Sequence, residues 1–415
     1  MIIKNKIKNF KSLVKKSNFP MKELLMLEDI FFKVDGTVRI IGGNVRDLIL
    51  GRKINSSTDL AIDLNPRQIV DCLKKSNIRY IKTGYKFGTI TIVINGINIE
   101  VTSLRKDLST DGRWAEVEFT KDWLEDAKRR DLTINSIYCD LKGNIFDYFG
   151  GKDDLINGRV LFVGEPMKRI KEDYLRILRF IRFSLEYSKK IDHKSLLACS
   201  AMKRKLPLLS FERRMMEFKK ILMSRKINEK FNELDRTKIF DYVFMSKINS
   251  MHIYKLFEIE REIKDEDFER RIKFLFRNKK RFLKRSDFHK LGKKSFSRII
   301  ERLKLENYEE TDIHKNLFLH GRTLVNDEII FNYVDGNITF RKFNKLYKIT
   351  NSWKPKKNPV SGEDIRQLGI KEGKLIGKYL QDVLNWWIKR NFRPNKTECI
   401  EYLHKVTKKR MVAKT

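Results

Sequence analysis

Residues 38–52 read VRIIGGNVRDLILGR. The stretch opens as a short β-branched run, the pattern of a buried strand. Gly42 and Gly43 follow at once, and Val45, Leu48 and Ile49 then recur at helical spacing. Glycines lack a Cβ, so their N–H groups can come close to an anion. A helix start adds free N–H groups and a positive dipole end. Strand, glycine pair and helix are therefore expected to form a phosphate-binding corner with Arg46 and Asp47 on its helical side. The segment has neither the GxGxxG nor the GKS/T pattern of dinucleotide and P-loop sites. Taken alone, it equally fits an ordinary strand–turn–helix corner.

A second strand is expected in STDLAIDLNP, residues 57–66. Phosphate chemistry with a pair of Mg²⁺ ions needs carboxylates on one face. Residues two apart on a strand share a face, which favours D-x-D. This chain has Ser57, Thr58 and Asp59, so only one of the two positions is a carboxylate. Asp63 has the same parity as Asp59 but lies about 13 Å along an extended chain. Glu100, within the alternating run TITIVINGINIEVTSL (89–104), is a third candidate. The expected metal ligands are Asp59 and Asp63, and the expected catalytic set is Asp59, Glu100 and Ser57.

Further blocks follow in order: TGYKFGT (83–89), RRDLTIN (129–135), EDYLRILRFIRF (172–183) and SFERRMMEFKKIL (210–222). Together with residues 38–66 they resemble the class II tRNA nucleotidyltransferases, the CCA-adding enzymes, in the family shared with bacterial poly(A) polymerases. The resemblance runs from about Val38 to Leu222. It implies an α+β architecture: a mixed-sheet, polymerase-β-like head followed by an all-helical neck, body and tail. This sequence departs from the family pattern at several positions. Ser57 stands where the first Asp of the metal strand is usual. Ile62 replaces a Thr, Phe87 a His and Leu132 a Phe, and the loop between Arg52 and Ser57 is one residue longer.

The resemblance implies a nucleotide site made by Gly42, Gly43, Arg46, Asp47, Arg105, Arg129, Arg130, Asp131 and Asn135. Within it, Arg129 and Asp131 would contact ribose and phosphates, and Arg105 the triphosphate. An Asp accepting from a 2′-hydroxyl would separate NTP from dNTP. Residues 107–113 are expected to form a polar lid. The segment KRIKEDYLRILRFIRFSLEY (168–187) reads as one helix whose face carries Asp173, Arg176, Arg179 and Arg182. An Asp beside an Arg offers acceptors and then donors, which complements cytosine and adenine. Guanine and uracil begin with an acceptor and would be repelled. Such readout is worth about 1–3 kcal/mol, against about 0–1 kcal/mol for a plain surface pair.

The chain has 415 residues, with 90 Lys and Arg against 54 Asp and Glu, a formal charge of +36. That excess suits a polyanionic partner. Cys72, Cys139, Cys199 and Cys399 are far apart without a CxxC, which argues for reduced thiols and against a zinc site. No run reaches the roughly 18 apolar residues of a membrane span. Five segments are expected: a basic amphipathic helical extension (1–20), the head (21–148), a base-recognition neck (149–224), a helical body (225–347) and an RNA-binding helical tail (348–415). In the tail, Gly369, Gly373 and Gly377 recur every fourth residue, for close helix packing or for approach to phosphates.

The reading is template-independent addition of C and A to the tRNA 3′ end from CTP and ATP with Mg²⁺, in the cytoplasm. It includes no membrane and no obligate protein partner. Poly(A) addition and a weakened, non-catalytic RNA-binding relative are the alternatives, the latter because of Ser57. That departure generates a test. Ser57→Asp is expected to raise turnover and lower the Mg²⁺ concentration needed, with tRNA affinity unchanged, in single-turnover assays across a Mg²⁺ titration. If the wild type is readily active and Ser57→Asp gains nothing, another carboxylate already fills that role.

Overall fold

The computed structural model describes residues 3–17, 19–54, 58–110, 115–278, 293–301, 303, 305, 308–370 and 372–412. Ser57 and residues 111–113 of the expected lid lie outside them. The chain divides into two compact units, one running to Ile248 and one beginning at Asn249.

In the first unit, ten strands are described: β1 (Ile3–Lys6), β2 (Val38–Ile41), β3 (Thr58–Ile62), β4 (Arg79–Gly84), β5 (Thr89–Ile94), β6 (Ile97–Ser103), β7 (Arg105–Thr110), β8 (Ala115–Phe119), β9 (Ile137–Cys139) and β10 (Asn144–Asp147). Among the described residues, eight of them form one sheet in the order β1-β10-β9-β2-β3-β6-β5-β4, and β7 and β8 form a separate ribbon. The sheet is mixed: β3 and β6 run parallel, while the other neighbours are antiparallel. One face is covered by α1 (Phe10–Lys15), α2 (Met21–Phe32), α3 (Gly43–Ile49) and α4 (Pro66–Lys75), which share a buried core with Ile40, Leu60, Ile92 and Val101. The start of α4 is fixed by a capping box between Asn65 and Gln68 with Pro66 in the first turn.

The N-terminal residues depart from the expected amphipathic helix. Ile3–Lys6 pairs with β10, and only the short α1 is helical. The reason is anchoring: Ile7, Phe10 and Phe19 are buried in the head core, and β10 offers a strand edge.

Helices α5 (Trp123–Lys128) and α6 (Gly151–Asn157) lead on to α7 (Pro166–Glu172), α8 (Leu175–Tyr187), α9 (His193–Met202), α10 (Phe211–Leu222), α11 (Ile227–Arg236) and α12 (Ile239–Phe244). The single helix expected over 168–187 is two. Asp173 leaves the helical region at φ −151°, ψ 111°, and its Oδ1 accepts the Leu175 N–H at 3.0 Å. Local side-chain capping has overridden the helical periodicity. At the other end of α8, the buried Lys230 Nζ donates to the Ser184 and Ser188 carbonyls at 2.9 and 2.6 Å. That places a cation at the negative end of the helix dipole.

The second unit is helical, beginning with α13 (Ile253–Glu262) and α14 (Phe268–Leu275). A tail core of Val360, Ile365, Val383, Trp387, Cys399 and Leu403 ties its last helices together. A Cβ at Gly369, Gly373 or Gly377 would meet nothing within 4 Å, so close helix packing does not account for these glycines.

Nearer the start of this unit lies a buried ionic cluster. The Asp327 carboxylate, fully buried, accepts from Arg270 Nε at 2.8 Å and from Arg298 Nη2 at 2.9 Å. Arg270 and Arg271 also donate to the buried Glu260 at 3.2 and 2.6 Å. Charges removed from water are tolerated only when each has a partner. Asp327→Ala would remove the buried carboxylate shared by Arg270 and Arg298, leaving Arg270 with Glu260 and Asp265 and Arg298 with Asp267 and Glu269, an excess of buried positive charge. It is expected to destabilise the second unit by about 3–5 kcal/mol in thermal or denaturant unfolding. A loss under about 1 kcal/mol, the worth of an exposed pair, would show that the cluster relaxes into water.

Candidate active site

Strand register builds the centre of the site. The antiparallel β2–β3 pair sets Ile41 opposite Asp59, and the parallel β3–β6 pair sets Asp59 opposite Glu100. Gly42 comes next after Ile41 and turns the chain at φ +74°, ψ −135°. A Cβ there would lie 3.2 Å from Asp59 Oδ2. The carboxylate therefore lies against the glycine turn, and Gly43 opens α3 beside it. Asn44 Nδ2 donates to Thr58 Oγ1 at 3.2 Å, tying helix to strand. Burial, and then the neighbouring Glu100, push the Asp59 carboxyl up to about 6, against the pull of Arg46 and Arg130. A carboxylate raised by burial and by a second carboxylate beside it suits a hard divalent cation, which takes one or two carboxylates and completes its shell with water and phosphate oxygens. Among the described residues, no group of three or more His, Cys, Asp or Glu is placed to hold a metal.

Asp63 does not join this pair. It follows the far end of β3, and its Oδ1 accepts the Thr37 N–H at 2.6 Å. The straight run of β3 keeps it away from Asp59, as strand rise requires. Asp47 lies on α3 with Arg46, Arg52 and Glu186 as its charged neighbours, and burial raises its carboxyl.

The RRD segment is held from behind by Asp126. This buried carboxylate on α5 receives Arg129 Nη2 at 2.6 Å, Arg130 Nη2 at 2.9 Å and the Tyr138 hydroxyl at 2.6 Å. Burial alone would raise its carboxyl, but Arg130, Arg129 and the tyrosine outweigh burial and hold it well below the usual range. Arg129 Nε also donates to the Arg105 carbonyl at 3.0 Å, and the Arg105 guanidinium reaches the Phe87 carbonyl. Burial, and then Arg129, lower Arg105 to about 10, the signature of crowded like charges.

A second chain of contacts crosses from head to neck. Arg46 Nη1 donates to Asn135 Oδ1 at 2.5 Å, Asn135 Nδ2 to Asp131 Oδ1 at 2.9 Å, and Arg179 Nε to Asp131 Oδ2 at 2.6 Å. Burial opposes the Asp131 charge, but Arg179 and Asn135 hold this carboxyl too well below the usual range. Arg46 also lies over the rings of Phe183 and Tyr187, at 4.9 and 5.2 Å.

Asp173 and Arg176 do not pair with each other. Asp173 Oδ2 accepts from Arg213 Nη2 at 3.1 Å. Arg176 donates to Glu172 Oε2 at 2.6 Å, to the Arg169 carbonyl at 3.1 Å and to the Arg129 carbonyl at 2.7 Å. Arg182 lies 3.0 Å from Glu217 and over the Phe183 ring. The sequence reading missed Asp126, Tyr138, Glu172 and Arg213 as site partners. Two carried a local signal: Asp126 precedes Arg130 by four residues and Glu172 precedes Arg176 by four, the spacing of facing side chains on a helix.

The arrangement can hold a cation, an anion at a helix start, and a polyanion against Arg105, Arg129 and Arg130. Comparison with known proteins agrees with that chemistry. Residues 38–161 match the family described as the poly A polymerase head domain. Residues 190–249 match the probable RNA and SrmB-binding site of polymerase A. The mitochondrial CCA tRNA nucleotidyltransferase 1 of Mus musculus is 33% identical over 422 residues, covering 92% of this chain and 90% of the mouse protein. The CCA-adding enzyme of Staphylococcus epidermidis is 35% identical over 217 residues, 52% of this chain and 53% of that one. The fold is that of the Bacillus stearothermophilus CCA-adding enzyme solved with CTP, at a TM-score of 0.72 and 24% identity over 95% of this chain and 99% of that one. With its sheet register, its arginine cluster and a relative aligned along nearly its whole length, this chain belongs to the family of CCA-adding tRNA nucleotidyltransferases.

Proposed function

We propose that this nucleotidyltransferase adds C and A to the 3′ end of tRNA, taking CTP and ATP with Mg²⁺. The observation that carries the reading is Asp59 beside Glu100 against the Gly42 turn. The named relatives supply the tRNA end and the CCA sequence of addition. Mg²⁺ would be held by Asp59 and Glu100 and would supply positive charge to the triphosphate and the attacking 3′-hydroxyl.

The chain's own groups do the rest. The N–H groups at Gly42 and Gly43, with Arg46, receive phosphate oxygens. Arg105, Arg129 and Arg130 neutralise the triphosphate and stabilise pyrophosphate as it leaves. Asp131 orders Arg179 and Asn135 and keeps a lone pair for the ribose hydroxyl. Asp173 accepts and Arg176 donates toward the base edge, which fits C and A and repels G and U. Arg213 and Glu172 hold those two side chains in place until a base arrives. Outside the site, the excess of Lys and Arg binds RNA phosphates.

The test is incubation of purified protein with tRNA lacking its 3′ CCA, Mg²⁺ and one labelled NTP at a time, then pairs. Incorporation of C alone, and of A once CTP is supplied, with no G or U, is expected. A-only tails would favour poly(A) addition, and no incorporation would sink the reading. Asp59→Ala should cut the rate at least about a hundredfold, the scale of a lost electrostatic group, while CTP still binds. Gly42→Ala should lose activity by crowding Asp59, and the strained backbone should cost about 1–3 kcal/mol. Full activity in Gly42→Ala would show that the turn can move away from the carboxylate.

A further inference from the structure

The three arginines set to meet the triphosphate carry like charges in a half-buried space, and such a group should splay toward water. Instead it is gathered on one carboxylate. Asp126 accepts six hydrogen bonds: Oδ1 takes the Arg105 N–H at 3.3 Å, Arg129 Nε at 2.9 Å and Arg129 Nη2 at 2.6 Å. Oδ2 takes Arg130 Nε at 3.2 Å, Arg130 Nη2 at 2.9 Å and the Tyr138 hydroxyl at 2.6 Å. The Arg129 and Arg130 guanidinium groups each converge through Nε and Nη2 on one carboxylate oxygen, Oδ1 for Arg129 and Oδ2 for Arg130, which fixes direction as well as position, while Arg105 is tied by its backbone N–H. Tyr138, fully buried, holds the carboxylate in turn and is itself wedged edge-on against Trp123 at 5.1 Å.

The remaining donors show which way the group faces. Arg130 Nη1 reaches the Asn135 carbonyl, but among the described residues the side-chain hydrogen bonds of Arg129 run from Nε and Nη2, leaving its Nη1 edge for a ligand. The charge count points the same way. Asp126, together with Asp107 at 3.8 Å from Arg105 Nε, sets two carboxylates against three guanidinium groups, which permits the crowding without cancelling it and leaves one net positive charge for a polyanion.

We propose that Asp126 is a positioning residue for nucleotide binding: it orients Arg129 and Arg130 toward the triphosphate before the nucleotide arrives. It touches no substrate itself. The proposal rests on the nucleotide-site reading above and adds the group that makes that site selective for triphosphates.

The experiment compares CTP with CMP, which shares base and ribose but lacks the two outer phosphates. Binding of each to wild type and Asp126→Asn is measured by calorimetry, alongside KM and kcat. Asn keeps the shape and removes the charge. The CTP dissociation constant and KM are expected to rise about ten- to a hundredfold, the scale of a misplaced binding group, with a fall in kcat because the same arginines stabilise the leaving pyrophosphate, while CMP affinity changes less than about threefold on that scale. Unchanged CTP binding in a folded Asp126→Asn protein overturns the proposal. Equal weakening of CTP and CMP overturns it too, because that is loss of the pocket as a whole. Should Asp126→Asn not fold, Tyr138→Phe keeps the charge and frees the carboxylate to turn. It should weaken CTP a few-fold and leave CMP alone, and no change in either ligand overturns the proposal. Wild-type protein that binds neither CTP nor ATP would instead overturn the underlying nucleotide-site reading.

Discussion

The site depends on strand register. Because β3 lies between an antiparallel and a parallel neighbour, one residue of it faces both the glycine turn and a second carboxylate. A one-residue slip in either pairing would send Asp59 or Glu100 to the opposite face of the sheet. Register is in turn enforced by the buried face: Leu60 and Ile62, on either side of Ala61, sit in the same core as Ile40 and Val101. Packing on one face thus fixes the chemistry on the other.

Behind that centre the protein spends its buried polar groups on orientation. Asp126 and Asp131 are both nearly closed off from water and both keep their charge, because arginines and a tyrosine or asparagine satisfy them. Their partners come from different elements: β7, the RRD turn and β9 for Asp126, Asn135 and α8 for Asp131, with Arg46 of α3 joining through Asn135. Head and neck of the first unit therefore meet through charges that have no comfortable alternative in water-poor surroundings, where an unpaired group is costly.

Much of this was legible in the sequence. Strand–glycine–helix order identified the Gly42 corner, and alternation in residues 89–104 identified the strand that brings Glu100. What was not legible followed from interactions between elements. Sequence spacing put Asp173 and Arg176 on one helical face, but capping of Leu175 broke the helix, and Arg213, 40 residues away, took the carboxylate. Parity made Asp63 a ligand candidate, yet a backbone N–H from the loop before β2 claims it. The basic N-terminal residues read as an amphipathic helix, because nothing in their own periodicity reports that β10 presents an open edge. Asp126 lies three residues ahead of the RRDLTIN block and drew no assignment, since only the fold shows that its two oxygens are fully used.

The first strand carries a practical consequence. With Ile3–Lys6 laid along β10, one side of the eight-stranded sheet ends in a short ribbon of four residues. Remove it, and the outer N–H and C=O groups of β10 have no partner, which makes that edge a template for strand addition by another chain. Solubility of this enzyme is thus partly decided within its first six residues. A tag or a cut placed there would act on self-association while leaving every group of the proposed nucleotide site untouched.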